Sequence, residues 1–428
     1  MDYVKAYGEL IKKTAASHPV AARRLIYAGL LEEQLRMKLR PKKEMPQALR
    51  MLNYMSLNKV YKAIRHPENS CWTNIFAPVE IMQCFGLDCV SMECLSSFMS
   101  GFMIEDFLID TAESEGIAST LCSYHKGFIG GADSGIFPPP PLSVTTSMVC
   151  DGNINTFRHV QQTKGVPSFV IDVPNENSAY AMEYVTGQLR ELISMLEELT
   201  GKKMDMGQLS HRIEMENESK QCYMDFLKEE KHRFYPKTLT LEMYLLFATH
   251  LDVGSVDSLR FFQLLKEDVK KYPERSGPNI FWVHLMPFYQ ETLQKYINYR
   301  SEYFIQAIDM NLDYMERLDP AHPLEALARK MLDNIYNGPY ERKTEKIAEL
   351  VKMMESDAVI HFCHWGCKQS SGGAMLLREK MQEAGIPMLI LDGDAMDRRN
   401  SHDGQIRTRL EAFLEMLDHM EENKNAGI

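Results

Sequence analysis

Three of the nine cysteines in this 428-residue chain fall where an apolar run gives way to a loop. Cys150 closes SVTTSMVC (Ser143–Cys150) and precedes Asp151–Gly152–Asn153, a turn-forming and helix-capping triplet. Cys367 closes DAVIHFCHWGC (Asp357–Cys367), and Ser370–Ser371–Gly372–Gly373 behind it can bring bare backbone amides close to a ligand. Each unit returns through a Gly-x-Pro turn into another apolar run, KGVPSFVIDVP (Lys164–Pro174) and AGIPMLILDGD (Ala384–Asp394). They read as two copies of one device: strand, cysteine, helix, strand. Parallel α/β sheets bind ligands beyond the carboxyl ends of their strands, where these thiols fall. Cys122, in TLCSYHKGFIGG, adds a third thiol with His125 and Lys126 beside it.

Three thiols on three separate loops suit an iron–sulfur cluster, whose irons bind thiolates. A compact zinc site would more often show a local Cys-x-x-Cys pair, which this sequence lacks. At a helix N-terminus, the Cys150 thiolate is expected to gain from the helix dipole and exposed amides. A buried core thiol is the plain alternative for any single cysteine. Cys84, Cys89, Cys94 and Cys222 keep that reading, because they lie in apolar or helical settings.

Elements that position these residues follow from the pattern. Residues 1–62 read as an N-terminal helical region with apolar positions at three- and four-residue steps. Residues 63–265 read as a first α/β domain with a helical extension, and 266–428 as a second α/β domain. CWTNIFAPVEIMQCFGL, from Cys71, reads as a strand passing into a helix. Pro138–Pro141 form a stiff lead-in to the first cysteine strand. From about Tyr180 to Leu265 the pattern is helical, and GPNIFWVHLMPF (Gly277–Phe288) opens the next β-rich stretch. Strands alternating with helices imply parallel sheets, an α/β fold. Asp392, Asp394, Asp397 and Asp403 beside Arg398, Arg399, Arg407 and Arg409 read as a salt-bridge cluster before a helix, with an anion-binding loop as the alternative.

Composition narrows the function. Hydrophobic content of 45% and charged content of 25% are those of a globular protein with a large core. A net charge of −11 and no basic stripe argue against nucleic-acid binding. No apolar run is long enough to span a membrane. The N-terminus lacks a secretory pattern, so a cytoplasmic location is expected. In that reducing setting nine cysteines favour metal or catalytic roles over disulfides. Gly-x-x-x-x-Gly-Lys-Ser/Thr, Gly-x-Gly-x-x-Gly and Gly-x-Ser-x-Gly are all missing, so any ATP chemistry must come from another protein.

From NIFAPVEI (Asn74–Ile81) through LCSYHKGFIGGADSG (Leu121–Gly135), VCDGNINTFR (Val149–Arg158) and VPSFVIDVP to HWGCK (His364–Lys368), GIPMLILDGDAMDRRN and GQIRTRLEAFLEML (Gly404–Leu417), the chain resembles the 2-hydroxyacyl-CoA dehydratase, or benzoyl-CoA reductase-like, family. It is similar to the D-component, the cluster-bearing part, over roughly Cys71 to Leu417. The resemblance implies two flavodoxin-like parallel-sheet domains, an N-terminal helical part and a helical middle segment. It implies a [4Fe-4S] cluster held by Cys122, Cys150 and the Cys363/Cys367 pair, Cys367 being favoured by its distance to the following Gly-x-Pro. Family members work as dimers, homodimeric or with a related subunit, and receive a low-potential electron from a separate ATP-hydrolysing iron–sulfur activator. In the dehydratases that electron makes a ketyl radical of a 2-hydroxyacyl-CoA, which then loses water.

Two features depart from the common dehydratase pattern. FCHWGCK carries two cysteines where many dehydratase subunits show one, and Cys71 adds a thiol before NIFAPVEI. This richer set resembles the family's double-cubane branch, homodimers with an [8Fe-9S] cluster that reduce small molecules; Cys363 and Cys71 would then join the ligands, with a sixth from the Cys84–Cys94 region. Non-catalytic iron–sulfur electron transfer is a third reading.

Overall fold

The computed structural model describes residues 3–426. Eight strands form two four-stranded sheets, every pairing parallel. The first sheet runs β2 (Asp88–Ser91), β1 (Ser70–Thr73), β3 (Leu142–Thr146), β4 (Ser168–Ile171). The second runs β6 (Phe304–Ile308), β5 (Asn279–Val283), β7 (Ala358–His364), β8 (Met388–Gly393). Both sheets place their strands in the same order, so the doubled unit of the sequence is β3 to β4 in one half and β7 to β8 in the other.

Strands β1, β3, β5 and β7 are buried at every residue. That is why they read as continuous apolar or small-residue runs: helices cover both faces of a parallel sheet. Gly165 and Gly385, at φ of 68° and 71°, end the crossover helices and turn the chain into β4 and β8. Trp72 and Val144 of the first sheet share one continuous core with Trp282 and Ile360 of the second. The N-terminal region folds as helices Tyr3–Ala15, Pro19–Leu39 and Gln47–Arg65. Ala48, Leu49 and Leu52 of the third pack into a second core with Phe281 and Val359. Helices Ala179–Thr200, Met206–Glu230, Leu239–Leu246 and Val256–Asp268 form the middle segment.

Local outcomes differ from the sequence reading in three places. β3 stops at Thr146, so Cys150 sits four residues beyond the strand, after Val149 at φ 67°. β2 and β6 were not distinguished by pattern: DCVS is too short to show alternation, and FIQAI carries Gln306 in its middle. Cys89 accordingly lies buried on a strand, in keeping with its reading as a core thiol. The last two residues of the polar tail lie outside the described residues.

Candidate metal centre between the two sheets

Switch points of the two sheets fall between β1 and β3 and between β5 and β7, where strand order reverses. Cys150 follows β3 and caps the helix Asp151–Lys164; Cys367 follows β7 and caps the turn Lys368–Ser371. Cys122 caps the helix Ser123–Asp133. Gly366 lies directly against the Cys122 backbone, which brings the thiol of one half to the cysteine loop of the other. The Cys122, Cys150 and Cys367 thiols are close enough to act on one another electrostatically.

Burial and then the neighbouring Cys367 thiol push Cys150 up to about 11, and the same causes in the same order raise Cys122. The sequence suggested a Cys150 thiolate favoured by its helix N-terminus. Helix amides do act in that direction, but desolvation and like charge outweigh them. Thiols that oppose one another's ionisation in a desolvated space lose their protons when a cation joins them.

Each thiol has a histidine neighbour. Cys122 Sγ lies 3.2 Å from His364 Nε2, Cys150 Sγ 3.5 Å from His125 Nε2, and Cys367 Sγ 3.7 Å from His284 Nε2. Burial holds all three imidazoles below their usual range, His125 at about 4. His284 is held at φ 74°, its amide donating to Asp309 Oδ1 at 2.7 Å. It and Val149 are left-handed non-glycine residues beside the thiols, where backbone strain tends to mark function. Sequence reasoning noted His125 and His364 but passed over His284, whose signal was a lone histidine at the end of an apolar strand.

Cys71 lies elsewhere, while Cys363 sits behind Cys367, within its electrostatic reach. Cys71 pairs in register with Cys89 across β1 and β2, and its thiol leans on the Trp72 carbonyl at 3.6 Å. Cys363 points to the Ser370 carbonyl at 3.8 Å; burial first and then Asp392 push it up to about 12. Cys84, Cys94 and Cys222 are in helices.

Asp394, beyond β8, ties the halves together: its Oδ1 accepts from Ser123 Oγ at 2.7 Å and from the amides of Met396 and Asp397, both at 2.8 Å. The salt-bridge cluster expected around it forms in part, Arg399 pairing with Asp397 and Arg409 with Asp392, while Arg398 reaches out to Glu105 and Arg399 also to Asp110.

Glu93 and Tyr124 line a cavity of about 40 Å³ with Phe98, Phe247 and Leu285. Glu93 Oε2 and Tyr124 Oη are buried there without a hydrogen-bond partner. Burial pushes Glu93 up to about 7. A surface groove of about 740 Å³ shares Ser97, Phe98, Met243 and Tyr244 with this cavity.

The donor set fits an iron–sulfur cluster by its chemistry. Three thiols from three loops lie within electrostatic reach of one another, and a Cβ on Gly152 would crowd Cys150 Sγ at 3.1 Å and His125 Nε2 at 3.0 Å. Among the described residues no three ligating side chains already stand in coordinating geometry.

Paired parallel sheets with cysteines on the loops that follow β3 and β7 define a two-domain α/β protein. The chain belongs to the family described as 2-hydroxyglutaryl-CoA dehydratase, D-component, which residues 74–417 match. It is 22% identical over 398 residues to the (R)-phenyllactyl-CoA dehydratase alpha subunit of Clostridium sporogenes, covering 86% of this chain and 94% of that one. It is 22% identical over 388 residues to the lactoyl-CoA dehydratase subunit alpha of Anaerotignum propionicum, covering 81% and 90%. The (R)-2-hydroxyisocaproyl-CoA dehydratase alpha subunit of Clostridioides difficile is 21% identical over 379 residues, covering 81% and 90%. No helix of the described residues is long and apolar enough to cross a membrane.

Proposed function

We propose that this chain is the cluster-holding subunit of an enzyme that eliminates water from a 2-hydroxyacyl-CoA. The observation that carries this reading is the convergence of Cys122, Cys150 and Cys367 from both halves of the fold. The relatives' names support it, since phenyllactyl, lactoyl and 2-hydroxyisocaproyl are all 2-hydroxyacyl groups.

Cys122, Cys150 and Cys367 would hold the cluster. Bound there, a [4Fe-4S] cluster supplies one-electron transfer and, at the iron the three thiolates leave free, a Lewis acid. Phe98, Phe247 and Leu285 exclude water around Glu93. Glu93, protonated up to about pH 7, with Oε2 buried and unpartnered and in electrostatic reach of Cys150, would hold a proton beside the cluster site. The groove bounded by Phe102 and Tyr244 admits the acyl-CoA from outside. Relatives named as alpha subunits support a related partner chain; in this reading electrons would enter from a separate ATP-dependent activator. The placement of Cys71 opposite Leu142, at the start of β3 and so at the far end of the sheet from Cys150, weighs against it as a ligand of a double cubane, whereas Cys363 stays within electrostatic reach of Cys367.

Anaerobic purification with iron and acid-labile sulfide counts tests this directly. About four irons per chain fit the single cluster. About eight, twice the single-cubane count, would return the double-cubane reductase, and none would end both. With activator, ATP and 2-hydroxyacyl-CoA esters, the expected product is enoyl-CoA; its absence with every ester tried and cluster loaded would discard the dehydratase reading.

A further inference from the structure

Two kinds of cysteine occupy this fold, and they differ in what faces the sulfur. Cys71, Cys89 and Cys363 lean on backbone carbonyls at 3.6, 4.0 and 3.8 Å, the arrangement of a protonated thiol acting as donor. Cys122, Cys150 and Cys367 each face the Nε2 of a different histidine instead. The three rings come from separate segments: His364 ends β7, His125 lies on the Ser123–Asp133 helix, and His284 follows β5. All three are buried.

The tautomer of His364 follows from its other nitrogen. The Ala395 amide donates to His364 Nδ1 at 3.0 Å. An amide N–H only donates, so Nδ1 carries the lone pair and the neutral ring keeps its proton on Nε2, aimed at Cys122 Sγ. Thr156 Oγ1 lies 2.8 Å from His125 Nδ1, and its hydroxyl can fill the same role there. His284 Nδ1 is buried without a partner, which leaves that ring able to place its proton on Nε2.

We propose that His364, His125 and His284 form a screen of N–H donors to the three cysteine sulfurs of the bound cluster, and that this screen raises the cluster's reduction potential. The inference rests on the cluster reading above. An N–H···S bond draws electron density from a ligand sulfur and favours the more negatively charged, reduced state. These are positioning residues: they act through the sulfurs. Neutral rings do this without adding charge to the seam.

The test compares the unsubstituted protein with His364→Gln and His364→Leu, each reconstituted anaerobically, by iron count and by redox titration followed by electron paramagnetic resonance. Glutamine can return an amide N–H to the place of Nε2; leucine cannot. Equal iron counts are expected in all three, with the potential shifted negative in the leucine variant and largely restored in the glutamine variant. An unchanged potential in the leucine variant overturns the donor screen. No iron in the unsubstituted protein overturns the cluster reading beneath it. Should His364→Leu not fold, the same pair of substitutions at His284 is read in the same way.

Discussion

Gly366 lays its bare α-carbon on the backbone of Cys122: a Cβ there would stand 2.7 Å from the Cys122 nitrogen and 2.9 Å from its Cα. Gly366 also has φ 76°, a left-handed conformation that disfavours a side chain. Gly366→Ala is expected to lower stability by about 1–3 kcal/mol and to reduce iron uptake by moving the two cysteine loops apart. Thermal unfolding and iron counts check it; a variant with unchanged melting and full iron would show that the contact yields freely.

Serine substitutions sort the thiols. Cys122→Ser, Cys150→Ser and Cys367→Ser are each expected to remove or destabilise the cluster, whereas Cys222→Ser, Cys71→Ala and Cys363→Ala should leave iron content near that of the unsubstituted protein. Full iron in both Cys150→Ser and Cys367→Ser would discard the ligand assignment.

Asp394→Ala strips one buried oxygen of three hydrogen bonds, including the one from Ser123 that crosses between the halves. The expected loss is about 2–4 kcal/mol, since hydrogen bonds to charged groups contribute more than neutral ones. Asp394→Asn keeps an acceptor at that position and should lose less. Denaturant unfolding of the pair measures the difference, and equal stabilities would show that the bonds are readily replaced by water.

Glu93 gives a signed pH dependence. Its carboxyl titrates near 7 when folded and near 4.5 when unfolded, so between those values the folded chain holds the extra proton. The stability this group contributes is present below about pH 4.5 and is lost as pH rises to about 7. That loss is about 3 kcal/mol. Glu93→Gln should flatten this part of the stability curve; a curve of the same slope would place the titration elsewhere.

Cysteines beyond the ends of the strand runs were readable because a parallel sheet hides both faces of its strands, leaving β3 and β7 free of Asp, Glu, Lys and Arg up to the loops that carry Cys150 and Cys367. The α/β class and the two sheets followed from the same pattern. What the sequence hid arises between segments far apart in the chain. The bond of Cys122 to His364 joins positions 242 residues apart. Cys71 loses its apparent place beside the site only through its register with Cys89 on β2, a four-residue strand with no pattern of its own. The direction of the Cys150 shift was hidden too, because burial is set by packing that no local motif records.

Two thiols come from the first sheet's half and one from the second, with more than two hundred residues between Cys150 and Cys367. A metal group bound by all three therefore staples the chain to itself across a very long loop. Closing a loop of that size removes unfolded-state entropy equivalent to on the order of 5 kcal/mol. Oxygen damage to such a centre would thus do more than stop turnover: it would remove one tie across the seam and leave the halves held by their shared core.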